Sequence, residues 1–268
     1  MAERSTMLRV EHLRKVYESP TGDVEAIGDL SFTMDAGELV CIVGPSGCGK
    51  TTLLKCIAGL LRPSGGTVEM DGVPVTGPTP AMALVFQEYG RSLYPWLTVR
   101  GNVELPLRHK KLSRAHRDRL VNESLEAVGL AHAAKSHPWQ LSGGMQQRVA
   151  IARAIAYEPE ILIMDEPFAA VDAQTRADLE DLVRDLHRGR GVSILFVTHD
   201  IDESVYLGER VLVLSKSPTR VQEALAIDLP DQRDQITTRA LPRFTELRTH
   251  VYGQIQRAKS EDAAMSSP

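Results

Sequence analysis

The feature that most constrains the fold is a glycine-rich segment between an apolar run and a helical one. The segment reads Gly44-Pro45-Ser46-Gly47-Cys48-Gly49-Lys50-Thr51 and fits the pattern G-x-x-x-x-G-K-[ST]. Leu39–Val43 before it is apolar and β-branched, as in a buried parallel strand, and the apolar spacing from Lys50 to Leu60 is helical. A strand, a glycine-rich turn and a helix in this order predict an α/β fold with a phosphate-binding loop.

Each position of this loop has a chemical reason. The glycines allow backbone N–H groups to turn toward phosphate oxygens, and the positive end of the following helix faces the same anion. Lys50 can reach the β- and γ-phosphates, and Thr51 can coordinate Mg²⁺. Composition alone produces this pattern in about one chain in a hundred of this length, so an ordinary glycine turn is the weaker interpretation. The predicted ATP-binding residues here are Gly44, Pro45, Ser46, Gly47, Cys48, Gly49, Lys50, Thr51 and Thr52.

A second apolar run ends in two acidic residues. Ile161–Met164 has the composition of a strand, and Asp165 and Glu166 follow it. Parallel sheets place their ligands at the carboxyl ends of strands. We therefore expect Asp165 to hold magnesium and Glu166 to polarise the water that attacks the γ-phosphate. An Asp-Glu pair after a strand is more often an ordinary turn, but the phosphate-binding loop in the same chain favours the catalytic interpretation.

Composition excludes several other classes of protein. The 268 residues are 43% hydrophobic and 25% charged, as in a globular protein and unlike a disordered one. A formal net charge of -4 gives no global electrostatic drive toward nucleic acid. No apolar run approaches the roughly 20 residues that cross a bilayer, and the start lacks a signal-peptide core, so we expect a cytoplasmic chain. The three bunched cysteines, Cys41, Cys48 and Cys56, predict neither a disulfide framework nor a zinc site.

The order of predicted elements indicates how the chain is organised. The first third is mainly strands, and the stretch between about 95 and 140 is charged and helical. Beyond it helices and strands alternate, which predicts a parallel sheet. The predicted strands are Leu8–Tyr17, Val24–Met34, Thr67–Met70, Ala83–Phe86 and Ser193–Val197, and the predicted helices are Ser113–Val128, Gly144–Tyr157 and Ala173–His187, the last capped by Asp172 and ending near Arg188 and Gly189.

The segment that separates this chain from other P-loop proteins is Leu141-Ser142-Gly143-Gly144-Met145-Gln146-Gln147-Arg148. Ser142 can cap a helix whose first turn holds two glycines, which gives the chain a second helix N-terminus suited to an anion. The segment resembles the signature motif of the ABC ATPases. Met145 stands where glutamine is more usual, but the backbone and hydroxyl contacts do not depend on it. The resemblance spans about Leu8 to Ser215, with the core motifs in family order.

This resemblance implies an α/β P-loop NTPase of ABC type: a mixed RecA-like sheet core, an antiparallel β subdomain and an inserted α-helical subdomain. It also implies ATP and Mg²⁺ as cofactors and two subunits that pair head to tail. The signature of each subunit then covers the γ-phosphate on the P-loop of the other. The residues expected to contact ATP in this way are Ser142, Gly143, Gly144, Gln146 and Asp172. For Asp172 an N-cap role competes, because Ala169-Ala170-Val171 differs from the usual D-loop.

Three further residues match the family pattern, although each alone would be unremarkable. Gln87 resembles the Q-loop glutamine, which senses ATP-bound magnesium or the attacking water, and His199 resembles the switch histidine at the γ-phosphate. Tyr17 resembles the aromatic residue that stacks on adenine, and a half-buried strand tyrosine is the competing interpretation. The resemblance therefore assigns catalysis to Glu166, His199 and Lys50, and metal binding to Thr51, Gln87 and Asp165.

The segment Tyr94-Pro95-Trp96 lies at the entry to the helical region, which in this family faces the membrane subunits. Tyr94 and Trp96 are predicted to contact the permease; packing of Trp96 inside the subdomain has about even odds. The Pro-Trp pair and Phe244–Arg248 are similar to importers of the nitrate, sulfonate and taurine group. The same features occur in importers of thiamine precursors and other small solutes.

The expected arrangement is one ABC ATPase domain, with core residues 8–94 and 140–230, a helical subdomain 95–140, a C-terminal helix 240–258, a frayed tail 260–268 and no appended regulatory domain. The expected partners are permease subunits, a second copy of the chain and, indirectly, a solute-binding protein, at the cytoplasmic face of the membrane and without nucleic acid. The alternatives are an exporter subunit, an ABC ATPase that acts on ribosomes or DNA, and a nucleotide-gated module without useful hydrolysis.

Overall fold

The computed structural model describes residues 5–20, 22–87 and 89–265. The strands are β1 Thr6–Tyr17, β2 Val24–Asp35, β3 Leu39–Val43, β4 Gly65–Met70, β5 Val73–Pro74, β6 Met82–Val85, β7 Ile161–Asp165, β8 Ser193–Val197, β9 Arg210–Leu214 and β10 Val221–Ala226. The helices are α1 Lys50–Ile57, α2 Tyr89–Ser92, α3 Val99–Glu104, α4 Arg114–Ala127, α5 Gly143–Ala156, α6 Ala173–Arg190, α7 Ile201–Leu207 and α8 Pro242–Met265. Short 3-10 turns lie at Leu105–His109, Ala131–Ala133 and Pro138–Gln140.

The chain divides into two units, the first made of Met1–Thr79 and Ser193–Pro268 and the second of Pro80–Val192. In the first unit β1 pairs antiparallel with β2 and β4, and β5 extends β4. Alternate residues of β1, including Leu8 and Val10, are buried while their neighbours are exposed. A strand with one buried face shows this alternation.

A second sheet of the first unit holds the phosphate-binding loop. Strand β3 runs parallel to β8 on one side and to β9 on the other, and β10 pairs antiparallel with β9. All residues of β3 and β8 are buried, as expected of parallel strands covered on both faces. The predicted strands Leu39–Val43 and Ser193–Val197 are confirmed at both ends.

In the second unit, β6 runs parallel to β7, and helices α3, α4 and α5 pack on one another. Helix α5 contributes a run of buried residues that includes Val149, Ile151 and Ile155. Helix α4 buries Leu120, Val121 and Leu125, which recur at helical spacing along one face. The strand β7 is buried along its whole length and ends at Asp165.

Helices α6 and α8 end later than the sequence predicts, and α1 ends at Ile57 instead of Leu60. Helix α6 does not end near Arg188 but continues to Arg190, because Gly191 adopts the left-handed conformation (φ 64°) and its N–H bonds to the carbonyl of His187. Helix α8 continues to Met265, so residues 260–265 of the expected frayed tail are helical; this segment includes alanines, which favour helix. Residues 266–268 lie outside the described part. The domain boundaries given above remain a prediction.

Across the described ranges, no helix combines the length and the apolar character needed to cross a bilayer.

Candidate functional site

The glycine-rich loop has a backbone that only glycine adopts readily. Gly47 and Gly49 have φ of 76° and 100°, and Gly49 is the N-cap of α1, so side chains at these positions would strain the turn. The Lys50 side chain is buried and its Nζ donates to the carbonyls of Gly44 and Pro45, at 3.0 and 3.2 Å. The ammonium group is thus already folded over the loop, whereas Ser46 and Thr51 are exposed. The loop is suited to receive an anion.

Tyr17 lies beside this loop. Its hydroxyl is 3.2 Å from Oγ1 of Thr52, on the first turn of α1, and its ring is 41% exposed with the Lys15 ammonium 5.3 Å from the centroid. A half-exposed ring fixed to the phosphate-binding helix offers one face for stacking. Its contact with adenine stays a prediction.

The acidic pair lies at the end of β7 in the second unit. Asp165 is 6% exposed, whereas Glu166 is partly exposed and has φ of 43°. A positive φ is uncommon outside glycine and is sustained only where the surroundings hold it. Nε2 of Gln87 donates to Oε2 of Glu166 at 3.4 Å. The structure thus brings together Gln87 and Glu166, which the sequence separates by 79 residues.

The signature segment begins a helix, as predicted. Ser142 is the N-cap of α5, and its Oγ accepts from the N–H of Met145 at 3.3 Å. A Cβ on Gly144 would lie 2.3 Å from Cγ2 of Thr175, so only glycine allows this close packing. Nε2 of Gln146 donates to the carbonyls of Pro138 and Leu141. This amide therefore stabilises the turn before the helix, and its contact with a partner's nucleotide stays a prediction.

Asp172 is the N-cap of α6, which confirms the capping interpretation. Its carboxylate accepts from the N–H of Thr175 at 3.0 Å and from the Thr175 hydroxyl at 2.7 Å. These hydrogen bonds, the backbone bond first, lower the pKa of the Asp172 carboxyl. Through Thr175 the cap adjoins Gly144 of the signature helix, a proximity that the sequence did not indicate.

His199 follows β8 in the first unit and is exposed. It lines a cleft of about 550 Å³ whose other walls come from α7 and from α8. The α8 residues are Arg248, Thr249 and Tyr252. No local sequence pattern indicates that the C-terminal helix adjoins His199, because the two are about fifty residues apart in the chain.

The segment before α3 presents two aromatic rings to solvent. Trp96 is 70% exposed and Tyr94 is 40% exposed, and their rings meet edge to face with centroids 5.3 Å apart. The exposed indole contradicts the alternative that Trp96 packs inside the subdomain. A second tryptophan, Trp139, which the sequence pattern did not single out, is 66% exposed and stacks on His137 with ring centroids 4.5 Å apart. An aromatic residue three positions before the signature serine was the available signal.

Comparison with known proteins identifies relatives among transport ATPases. The ABC transporter family model matches residues 27–169. The nitrate import ATP-binding protein NrtD of Synechocystis sp. is 44% identical over 227 residues, which are 85% of this chain and 85% of that protein. The bicarbonate transport ATP-binding protein CmpC of Synechococcus elongatus is 39% identical over 251 residues, which are 92% of this chain and 38% of that protein.

A solved structure shares the fold. The dimeric structure of a post-hydrolysis state of the ATP-binding cassette MJ0796, bound to ADP and Pi, matches this chain with a TM-score of 0.72 and 33% sequence identity. The match covers 82% of this chain and 99% of the MJ0796 chain. The predicted α/β P-loop fold of ABC type is thereby confirmed, together with the predicted nucleotide chemistry. The chain belongs to the ABC transporter family, as a subunit that binds and hydrolyses ATP.

Proposed function

We propose that this subunit powers the import of a small solute of the nitrate, sulfonate or taurine kind. The observation that carries the proposal is the 44% identity to a nitrate import ATP-binding protein along 85% of both chains. The relative named for bicarbonate transport supports a small solute and indicates that this subunit does not itself select it. The solute would be selected by the permease and its binding protein.

For the ATP site, we propose that the loop from Gly44 to Thr51 binds the phosphates while Tyr17 stacks on adenine. Lys50 would neutralise charge on the β- and γ-phosphates. The proposed magnesium ligands are the hydroxyl of Thr51, the amide oxygen of Gln87 and the carboxylate of Asp165; all three are oxygen donors, which Mg²⁺ prefers. When bound, Mg²⁺ would neutralise charge on the phosphates.

Glu166 would act as the general base, and Gln87 would hold it. Glu166 has an unusual backbone conformation, and its carboxylate accepts a hydrogen bond of 3.4 Å from the amide of Gln87. This contact would help to aim a lone pair at one water molecule. His199, exposed at the end of β8, would contact the γ-phosphate. In the competing module without useful hydrolysis, these side chains would have no chemical task.

The test of this chemistry is Glu166→Gln, which keeps the shape and removes the base. We expect unchanged ATP affinity and a fall in kcat of about 100-fold or more. Glu160→Gln is the matched control, because Glu160 is exposed just before the other end of the same strand, and its kcat should match wild type. Multiple-turnover hydrolysis by Glu166→Gln near the wild-type rate would remove Glu166 from this role.

We further propose that two copies of the chain pair around two ATP molecules. Ser142, Gly143, Gly144, Gln146 and Asp172 of each copy would face the nucleotide on the other copy's P-loop. The capped N-terminus of α5 supports this assignment, since it offers unpaired backbone N–H groups to an anion. In the Glu166→Gln background ATP should convert monomer to dimer in size-exclusion chromatography, and a monomer at saturating ATP would contradict the pairing.

The permease would dock on Tyr94 and Trp96, at the cytoplasmic face of the membrane. An exposed tryptophan beside a tyrosine is a typical anchor of a protein interface. Affinity purification from detergent-solubilised native membranes should recover a multi-span permease and a solute-binding protein. Trp96→Ala should lose the permease and the control Trp139→Ala should keep it. Recovery of ribosomes or DNA-repair proteins instead would refute the transport assignment.

A further inference from the structure

The exposed histidine of the first unit has two buried polar residues close to it in the chain. His199 is exposed, whereas Thr198 before it is 2% exposed and Glu203, on the first turn of α7, is 4% exposed. The Thr198 hydroxyl donates to Oε2 of Glu203 at 2.5 Å. A buried carboxylate costs free energy unless it is hydrogen-bonded, so the burial of Glu203, on the helix that follows His199, requires a reason.

Helix capping alone does not supply that reason. Asp200 is the N-cap of α7, and its Oδ1 accepts from the N–H of Glu203 at 3.2 Å. In an ordinary capping box the N3 glutamate would in turn accept from the N–H of the N-cap residue. Here that N–H donates to Oγ1 of Thr198 at 2.9 Å, and the threonine hydroxyl in turn donates a hydrogen bond to Glu203.

This relay fixes the backbone on both sides of His199. The Thr198 hydroxyl accepts from Asp200 and donates to Glu203, so its proton has one direction. His199 lies between Thr198 and Asp200, which are hydrogen-bonded to each other through the threonine hydroxyl and the aspartate N–H. The imidazole is consequently carried by a segment that cannot rotate without breaking buried hydrogen bonds, each of which is costly to leave unmade.

We propose that Glu203 is a positioning residue for His199 and acts through the hydroxyl of Thr198. The inference rests on the role proposed for His199 at the γ-phosphate. Glu203 itself would contact no substrate; through Thr198 it would hold the backbone of His199 in place for the contact proposed with the γ-phosphate. Displacement of a catalytic group by about 1 Å lowers rates by up to about 100-fold.

The experiment is a double-mutant cycle on the ATPase activity of the purified full-length chain. The variants are Glu203→Ala, Glu203→Gln, Thr198→Val, Thr198→Ser and His199→Ala, with the two relay deletions repeated in the His199→Ala background. Thr198→Val removes the hydroxyl at nearly constant shape, which covers the case that Glu203→Ala fails to fold. Ser204→Ala is the matched control: Ser204 is fully buried on the same helix, and its Oγ bonds to the carbonyl of Ile201 and not to Thr198.

We expect Glu203→Ala and Thr198→Val to lower kcat by roughly 10- to 100-fold, with KM for ATP within about twofold of wild type. Glu203→Gln keeps an acceptor oxygen and Thr198→Ser keeps the hydroxyl. Both variants should therefore retain kcat within about threefold of the wild-type value. In the His199→Ala background the relay deletions should change kcat by less than about twofold, because residues that act as a unit are not additive. Ser204→Ala should lower Tm and leave kcat in place.

The failures of this inference and of the proposed function are distinguishable. If His199→Ala leaves kcat at the wild-type value, the role of His199 is wrong. If His199→Ala is strongly impaired while Thr198→Val is not, only the positioning role is overturned. Equal losses from the relay deletions with and without His199 would show a structural effect and would also overturn it.

Discussion

Replacement of Asn102 by alanine should destabilise the second unit more than any surface change near it. Asn102 is fully buried on α3 and bonds to the backbone that carries Trp96. Its Oδ1 accepts from the N–H of Tyr94 at 2.8 Å, and its Nδ2 lies 3.0 to 3.3 Å from the carbonyls of Tyr94, Leu97 and Thr98. One side chain thus closes the turn from Tyr94 to Thr98.

The magnitude follows from what each backbone group keeps after the substitution. The carbonyl of Tyr94 still accepts from the N–H of Leu97. The carbonyl of Thr98 still accepts from the backbone N–H at position 102, which the substitution keeps. The N–H of Tyr94 loses its acceptor, at a cost of about 1 to 2 kcal/mol. The carbonyls lose weaker hydrogen bonds, and the shorter side chain leaves a small cavity. Together we expect the free energy of unfolding to fall by about 3 kcal/mol.

Urea unfolding followed by far-UV circular dichroism measures this value, and linear extrapolation gives the free energy of unfolding. Tryptophan fluorescence is a poor probe here, because Trp96 and Trp139 are both largely exposed. Asn122→Ala is the control, because Asn122 is exposed and its Oδ1 accepts from Arg100; the change should be below about 0.5 kcal/mol. A loss below about 1 kcal/mol for Asn102→Ala would refute the reasoning.

Three other measurements test the structure. Gly66→Ala should lower the free energy of unfolding by about 3 kcal/mol or more, and Gly72→Ala by roughly 1 kcal/mol. Both glycines have φ near 75°, but only at Gly66 would a Cβ lie 2.2 Å from the His12 carbonyl oxygen. Denaturant unfolding compares the two variants, and equal losses would contradict the packing. Backbone hydrogen bonds lower the pKa of the Asp234 carboxyl, so its stabilisation is present above the unfolded pKa near 4 and lost as pH falls through the folded pKa; Asp234→Ala should therefore be less stable at neutral pH, with a Tm difference that shrinks in acid, and a difference that persists there would contradict this. Burial raises the pKa of the Cys56 thiol to about 11, so a thiol reagent at about pH 8 should modify it only after unfolding, and rapid labelling of the native chain would be the contrary result.

Elements with a local cause were predictable from the sequence. Strands β3 and β8 are buried along their whole length, so every residue of Leu39–Val43 and Ser193–Val197 carries the same apolar signal. The end of α6 was not predictable in this way. Gly189 and Gly191 are both glycines near the expected end, and which of them turns left-handed depends on where the helix packs.

The residues of the candidate site likewise divide into those that the sequence predicts and those that it does not. The P-loop, the signature and the acidic pair are contiguous motifs, so their spacing is visible in the sequence. Asn102, Glu203 and Thr175 are not part of any such motif, and their contacts form only when the chain folds. The proximity of Thr175 to Gly144, for example, joins residues on two different helices, which no local pattern encodes.

These missed residues have a common property that explains why they matter. Exposed Trp96 lies in the turn that the buried amide of Asn102 closes, and exposed His199 adjoins Thr198, which is hydrogen-bonded to buried Glu203. An apolar side chain would fill either buried position without the desolvation cost of a polar group. The polar group is therefore explained by the directionality of its hydrogen bonds. These fix the orientation of the segments they join, which apolar packing does only weakly. Each of these exposed candidate residues consequently depends for its orientation on a buried polar residue, which a search of the surface alone does not find.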